Sequence, residues 1–311
     1  MMNINRFLIL FIIWASFNHE LNLLSIEHRQ SDLQGLKGSY LGQTPPGMTP
    51  VLFAPGIIST CTQHSSAYFS KNGKEVYFSR FYPLPSVIMY MCEKNGCWTK
   101  PMVICEGLTP GLSPSGETVY FSTNRFDWKL YKLIKTPVGW SEPEMLPPVI
   151  NFQKRQDTPY ESENGTLYYC TMFGKTDGIY FSHFENGKYT QPQRIEYGIS
   201  DESSNFSPYI APDESYLIFS STRPGYGITD LFISFHNTND SWTTPKNMGP
   251  GINTAYKESF PFVSFDGKYL FFMSNRPSEL NAISIPDGPG NVFWVDAQII
   301  EELRTKEFYD N

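Results

Sequence analysis

One hairpin pattern recurs along the chain and constrains the fold more than any other feature of the sequence. Each copy has a short segment, a turn, and an apolar run rich in Tyr and Phe. The copies lie at 68–80, 111–125, 160–174, 209–223 and 262–276. Their turn positions are Gly73, Gly116, Gly165, Glu214 and Gly267. Asn-Gly and Asp-Gly pairs predict two-residue hairpin turns, whereas Glu214 requires either a different turn or backbone strain.

The apolar run after each turn is continuous, as in "LFFM" at 270–273. A strand that is exposed on one face would alternate, so these strands are expected to be covered on both faces. Small antiparallel sheets that pack face to face would provide that cover. The runs are also rich in aromatic residues, which favour strands over helices.

The first strand of each copy carries a proline or alanine at one fixed position. The residues are Ala67, Pro110, Pro159, Pro208 and Pro261. Because proline has no N–H group, it is confined to strands with a free edge. We therefore predict that this strand is the innermost one of its sheet and lines a central channel.

Two further segments complete each repeat. A third strand is predicted at 86–92, 127–133, 176–182, 228–234 and 291–297. A fourth segment begins at 99, 141, 190 and 244, with spacings of 42 to 54 residues, and a surplus copy lies at 49–58. This period is typical of the four-stranded blades of a β-propeller. The sequence predicts an all-β propeller of five blades, with six possible, in which the N-terminal strand completes the last blade.

The repeat resembles the TolB-like branch of the WD-repeat-like propellers. The resemblance depends on "SPSGETVYFSTNR" (113–125), "APDESYLIFSSTR" (211–223) and "SFDGKYLFFMSNR" (264–276), and it covers roughly 50–299. The segments at 40–60 and 292–303 also look like exported bacterial members. The resemblance implies a propeller fold, often with six or more blades, and it leaves binding scaffolds, peptidase parts and lyases open as functions.

The N-terminus has the pattern of a secretory signal peptide. Arg6 precedes an apolar run at 7–17, which is too short to span a bilayer comfortably. An uncleaved anchor or a buried strand is the alternative. We expect a signal peptide at 1–20, a linker at 21–48, the propeller at 49–299 and a helical tail at 300–311. The mature protein would then be periplasmic or extracellular, with no membrane span.

Charge and cysteine content limit the partners. The net charge is −7 and no basic block occurs, so nucleic acid is not expected as a partner. Cys92 and Cys97 flank a turn signal and could form a hairpin disulfide in an oxidising compartment. No zinc-ligand spacing is present, and neither a metal nor another cofactor is expected.

Candidate site residues come from the face where the first strand of each blade begins. His64 and Glu258 occupy the same repeat position in the first and last blades, which are neighbours in a closed ring. A His–carboxylate pair at the channel mouth could act as a general acid–base pair. Alternatively, the two residues form hydrogen bonds that tie the blades together.

Arginines and carboxylates add further candidates to this face. The arginines are Arg80, Arg125, Arg223 and Arg276, and the carboxylates are Asp157 and Glu202. Guanidinium groups match carboxylates and could attract an acidic ligand, but recurrence at one repeat position also fits pairing within the scaffold. Two loops break the symmetry: 275–290, and 223–230 with Tyr226. Each is either part of a pocket rim or an ordinary surface loop.

Two functions remain open from sequence. The first is an exported, non-catalytic propeller that binds a protein or a glycan on its channel face. The second is a carbohydrate-active enzyme for acidic oligosaccharides, with His64 as the base and Glu258 as its partner. The chain contains no nucleophile elbow, phosphate loop or dinucleotide fingerprint, which favours the first.

Overall fold

Five small antiparallel sheets form a ring, so the chain is a five-bladed β-propeller. The computed structural model describes residues 36–60, 62–123, 128–153, 155–172, 177–196, 199, 203–238, 241–280 and 290–309. The signal-peptide prediction, Arg125, Glu202 and most of the 275–290 loop lie outside the described residues. Within the ranges that the structure does describe, no helix is both long and apolar enough to cross a bilayer.

The strands follow the order that the repeat predicts. Blade 1 contains β2 (Tyr68–Phe69), β3 (Glu75–Arg80), β4 (Val87–Lys94), β5 (Cys97–Trp98) and β6 (Met102–Glu106). Blade 2 contains β7 (Leu108–Leu112), β8 (Thr118–Ser122), β9 (Leu130–Thr136), β10 (Gly139–Trp140) and β11 (Glu144–Met145). Blade 3 contains β12 (Gln156–Glu161), β13 (Leu167–Thr171), β14 (Gly178–Ser182) and β17 (Gln193–Arg194), with a small hairpin, β15 (Phe184–Glu185) and β16 (Lys188–Tyr189), between the last two.

Blade 4 and blade 5 complete the ring. Blade 4 contains β18 (Asn205–Ile210), β19 (Tyr216–Ser221), β20 (Asp230–Phe235) and β21 (Lys246–Asn247). Blade 5 contains β22 (Glu258–Val263), β23 (Tyr269–Ser274), β24 (Asn291–Asp296) and the N-terminal strand β1 (Val51–Leu52). A helix, α1 (Gln298–Tyr309), follows β24, and a short 3-10 helix (Ser39–Gly42) precedes β1.

The ring closes where β1 pairs with β24. Val51 lies opposite Trp294 in an antiparallel register, which confirms the predicted closure. The segment before β1 strengthens this seam. The ring of Tyr40 contacts Phe69 of blade 1 and Tyr269 of blade 5, each at 4.9 Å between centroids. Closure therefore depends on aromatic packing as well as on strand pairing.

The main hairpins do not have the predicted two-residue turns. In blade 1 the N–H group of Ser70 donates to the carbonyl of Glu75, so four residues connect the strands, and of these only Gly73 has positive φ. Glu214 adopts the same conformation with φ of 60°. Its backbone is therefore in the region that disfavours side chains, and its carboxylate accepts a 2.7 Å hydrogen bond from the Ser162 hydroxyl of blade 3.

A true two-residue turn occurs instead at Asn95–Gly96, where both residues have positive φ. Its register places Cys97 opposite Lys94, while the carbonyl of Cys92 accepts from the N–H group of Thr99. The two cysteines are thus not cross-strand partners, and both are free thiols. The suggested disulfide is wrong because a two-residue turn at this position brings Cys92 opposite Thr99 rather than opposite Cys97.

The innermost strands have free edges, as the prolines predicted, since β7, β12, β18 and β22 each end their sheet. They do not line an open channel along its whole length. Buried rings fill the axis in a closed cycle: Tyr68–Tyr160 at 6.1 Å, Tyr160–Tyr209 at 5.4 Å, Tyr209–Phe262 at 5.8 Å and Phe262–Tyr68 at 5.4 Å. We call these four side chains the aromatic plug.

Blade 2 contributes no ring to the aromatic plug. Its residue at the equivalent position is Gly111, where an added Cβ atom would lie 1.6 Å from the carbonyl oxygen of Pro159. Only glycine fits such a close approach between neighbouring innermost strands. The axis is therefore closed by four aromatic side chains, with one backbone contact at the fifth position.

Candidate functional site

The face opposite the hairpin turns carries the candidate residues. We call it the mouth face, because the innermost strands begin there, at Leu108, Gln156, Asn205 and Glu258. In blades 3 and 4 the residue at the start of the innermost strand anchors the loop that enters the blade. The Gln156 amide donates to the carbonyl of Ile150 at 2.9 Å, and the Asn205 amide donates to that of Ile199 at 2.7 Å. This position therefore has a recurrent scaffold role.

Arg223 has the same scaffold role in blade 4. Its guanidinium donates to the side-chain oxygen of Asn205 at 2.8 Å and to the carbonyl of Ile199 at 3.0 Å. It also lies over the rings of Phe219 and Phe232, at 5.4 and 5.6 Å from their centroids. These contacts hold the side chain within its own blade and entry loop.

Arg276 repeats this arrangement in blade 5 with a charged partner. It forms an ion pair of 3.3 Å with the fully buried carboxylate of Glu258 and donates to the carbonyl of Ile252 at 2.5 Å. Glu258 also accepts from the hydroxyls of Ser274 and Thr254, each at 2.7 Å. Burial lowers the pKa of Arg276, and the charge of Glu258 opposes that shift.

His64 is buried in blade 1 with a separate set of partners. Its Nε2 atom lies 2.6 Å from the Thr60 hydroxyl and 2.9 Å from that of Thr62, and Nδ1 lies 3.2 Å from the carbonyl oxygen of Ser79. A carbonyl only accepts, so Nδ1 carries the proton and Nε2 accepts from the threonines. Burial, chiefly, lowers the pKa of His64 to about 4, so the imidazole is neutral at neutral pH.

The structure therefore does not bring His64 and Glu258 together. The side-chain hydrogen bonds of each lie within its own blade and entry loop, among the residues that the structure describes. The backbone N–H of His64 instead donates to the carbonyl of Gly290, next to β24 of blade 5, at 3.4 Å. Arg80 forms an antiparallel β-bridge with His64. Its Nε atom is buried and has no hydrogen-bond partner among the residues that the structure describes. Tyr226 is half exposed in a loop that Asp230 orders by accepting its backbone N–H at 2.6 Å.

A cavity of about 300 Å³ opens on the mouth face near the axis. We call it the mouth pocket. Four blades contribute to its lining: Phe81 and Tyr82 from blade 1, Trp128 from blade 2, Arg155 and Asp157 from blade 3, and Phe260 from blade 5. A pocket with apolar walls and a few convergent polar groups is the usual form of a small-ligand site. Of the predicted site residues that the structure describes, only Asp157 lines it.

Asp157 provides the buried carboxylate of the mouth pocket. Its Oδ1 atom accepts from the Thr109 hydroxyl, from the Ser122 hydroxyl at 2.6 Å and from the N–H of Thr158 at 2.8 Å. Among the described residues, no donor reaches the second oxygen, Oδ2. The carboxylate is thus fixed in position through one oxygen, while the other remains available as an acceptor.

Arg155 lies beside this carboxylate. Its guanidinium carbon is 3.5 Å from the centroid of the Trp128 ring, a close cation–π contact. Burial lowers the pKa of Arg155, and the negative charge of Asp157 opposes the shift. The stacking fixes the plane of the guanidinium, so its donors have a defined direction.

The rim of the mouth pocket is apolar and exposed. Tyr82 is 55% exposed and Leu84 is 67% exposed, although both are large side chains. They belong to a short loop between β3 and β4 that contains two cis prolines, Pro83 and Pro85. Phe81 and Phe260 pack edge to face at 5.9 Å and form the inner wall. Among the described residues that line it, the site therefore combines an apolar rim with a floor that carries two opposite charges, Arg155 and Asp157.

A larger groove of about 910 Å³ lies on the opposite face, between the turns of blades 4 and 5 and α1. Its charged residues include Asp213, Lys268, Glu301 and Arg304. It is a surface groove, and its described residues do not form a buried cluster of titratable side chains. The mouth pocket is the stronger candidate because its polar groups are buried and held in position.

Known proteins share the fold. No protein-family model and no curated protein sequence matches the chain. TolB from Acinetobacter baumannii has a TM-score of 0.51 and 15% identity over 76% of this chain and 57% of that protein. The GH43 BlXynB protein from Bacillus licheniformis also has a TM-score of 0.51, with 11% identity over 80% of this chain and 57% of that protein. The shared feature is the propeller.

Putative TolB from Agrobacterium tumefaciens is also similar, with 19% identity over 76% of this chain and 77% of that chain, at a TM-score of 0.49. This chain matches little more than half the length of the A. baumannii and B. licheniformis proteins. At such low identities the likeness shows the fold alone. The resemblance to TolB-like propellers is confirmed at that level, and export stays a prediction.

Proposed function

We propose that this chain is an exported, non-catalytic propeller that binds a partner, protein or glycan, at the mouth pocket. The observation that carries the proposal is the combination of an exposed apolar rim at Tyr82 and Leu84 with an orienting pair, Arg155 and Asp157, beneath it. Exposed large apolar groups beside a cavity favour recognition, because binding removes them from water.

The contacts of His64 and Glu258 support a binding role over catalysis. A general base needs access to the proton that it removes. The Nε2 atom of His64 already contacts Thr60 and Thr62, and Glu258 is fully buried beside Arg276. Since Gln156 and Asn205 occupy the same repeat position with scaffold contacts, repetition explains these residues without a reaction.

Array binding tests the proposal. The full chain would be labelled and applied to a glycan array and to an array of short peptides, and each ligand found would be titrated against variants. We expect Tyr82→Ala to weaken binding by at least about tenfold, because burying an aromatic side chain contributes on the order of 1.5 kcal/mol or more. Phe184→Ala is the matched control, since Phe184 is a 50% exposed aromatic residue outside the pocket.

Equal losses in Tyr82→Ala and Phe184→Ala would contradict binding at the mouth pocket. Catalysis is tested in parallel with acidic oligosaccharides as substrates. We expect no turnover above that of His64→Ala and Glu258→Gln variants. Turnover that these substitutions abolish, with ligand binding intact, would instead establish the carbohydrate-active alternative.

A further inference from the structure

The charge balance of the mouth pocket points to one class of ligand, and this step rests on the proposed binding role. We infer that the pocket holds a neutral sugar ring, with Asp157 accepting from one hydroxyl group and Arg155 donating to a neighbouring one. The inference depends on three observations: the open Oδ2 atom of Asp157, the oriented guanidinium of Arg155, and the aromatic rim.

The volume limits what can enter. At about 300 Å³ the mouth pocket is at the lower end of the range for small-molecule sites. It suits one ring or one side chain rather than an extended segment. A protein partner would therefore have to insert a single anchoring residue, so the possible anchors can be compared one chemical type at a time.

A charged or purely apolar anchor fits the floor poorly. A lysine or another amine would be attracted by Asp157 but repelled by the positive charge of Arg155. A carboxylate would be attracted by Arg155 but repelled by the negative charge of Asp157. An apolar side chain would remove water from the Asp157 Oδ2 atom without replacing its hydrogen bond, and an unpaired buried acceptor is costly. Each of these ligands leaves one member of the pair uncompensated.

A polyol satisfies both members of the pair. Each hydroxyl group can donate and accept, so adjacent hydroxyls can donate to Asp157 and accept from Arg155 at once. The C–H faces of a sugar ring are apolar and can pack against Tyr82 and Phe81, which lie beside the pair. The Asp157 carboxylate is already held by Ser122 and Thr158, so binding requires little further ordering of the site.

Saturation-transfer NMR with the full chain tests this inference. The probes are glucose, galactose, mannose and xylose, the charged counterparts glucuronate and glucosamine, and the N-acetyl amides of lysine and leucine. We expect at least one neutral sugar to bind, with at least tenfold weaker binding of its uronate and amino forms. The sugar C–H protons facing the rim should receive the strongest saturation.

Two variants separate a ligand-contacting role from a structural one. Asp157→Asn leaves the pocket with a net positive charge, so the ratio of uronate to neutral-sugar affinity should rise by at least tenfold. Arg155→Met keeps an apolar chain on Trp128 and leaves a net negative charge, so the ratio of amino to neutral sugar should rise similarly. Because Arg155 is only half buried, Arg155→Met should fold. The inference can therefore still be tested if Asp157→Asn does not fold.

The outcomes distinguish this inference from the proposed function. Tighter binding of a charged sugar, or of a lysine or leucine amide, than of every neutral sugar would overturn the neutral-sugar inference while keeping a binding pocket. Unchanged affinity ratios in folded variants would overturn it as well. If no glycan, peptide or probe binds, the proposed function itself fails.

Discussion

Protonation of His64 in the unfolded chain should destabilise the folded protein at mildly acidic pH, where the carboxylates of the protein are still ionised. Burial lowers the pKa of His64 from 6.5 to about 4. Between these values the unfolded chain binds a proton that the folded chain does not, so stability is fully present above pH 6.5 and falls as the pH drops toward 4. At 1.36 kcal/mol per pKa unit, the loss between pH 7 and pH 5 is about 2 kcal/mol.

Urea unfolding at pH 7 and pH 5, followed by tryptophan fluorescence, measures this loss. The control is His64→Asn, which introduces the residue that blade 4 carries at the same repeat position, Asn205. Asparagine does not titrate, so the free energy of unfolding of this variant should depend less on pH, by about 2 kcal/mol. All other titrating groups are common to both proteins. Equal pH dependence in the two would refute the buried, neutral imidazole.

Three further predictions concern stability and thiol chemistry. Glu258→Gln should lower the free energy of unfolding by about 3 to 5 kcal/mol, because it leaves Arg276 buried without its counter-charge; chemical denaturation would show this, and a reduction under about 1 kcal/mol would argue against the pair. Phe53→Ala should cost about 3 to 5 kcal/mol, measured in the same way, because Phe53 is fully buried at the seam between the first and last blades; near-wild-type stability would mean that the seam contributes little. Cys92 and Cys97 should both react with an alkylating reagent after the protein is unfolded without reductant. Mass spectrometry would measure this, and the absence of an alkyl group on both cysteines would reveal a disulfide between them.

The sequence predicted the ring because each blade repeats the same physical requirement. Continuous apolar runs demand cover on two faces, and the prolines demand a free edge, so the innermost strand and the closing role of β1 could both be inferred. The turn type was predicted wrongly, because Asn-Gly is compatible with a two-residue turn at Asn95–Gly96 and with a four-residue loop at Gly73. Local composition does not choose between these; the strand register does.

The candidate site was harder to predict because repetition and function give opposite signals. Arg223 and Arg276 recur at one repeat position and hold entry loops, so their recurrence marked the scaffold. Arg155 and Trp128 meet only through the folding of two segments that lie 27 residues apart, and neither residue type recurs at the corresponding position of another blade. A usable signal was the blade 1 loop, in which two prolines lie beside the exposed apolar residues Tyr82 and Leu84.

The seam between β1 and β24 gives every blade two neighbours. In an open array of repeats, the end units have only one neighbour and can melt first. Here the unfolding of any one blade exposes the packed faces of the two blades beside it, so no blade is a weak end. Because the seam joins residues more than 240 positions apart in the chain, it can form only after the final strand has been made. The protein should consequently resist proteases as one unit once complete, and a chain truncated before Asn291 should be cut along its whole length.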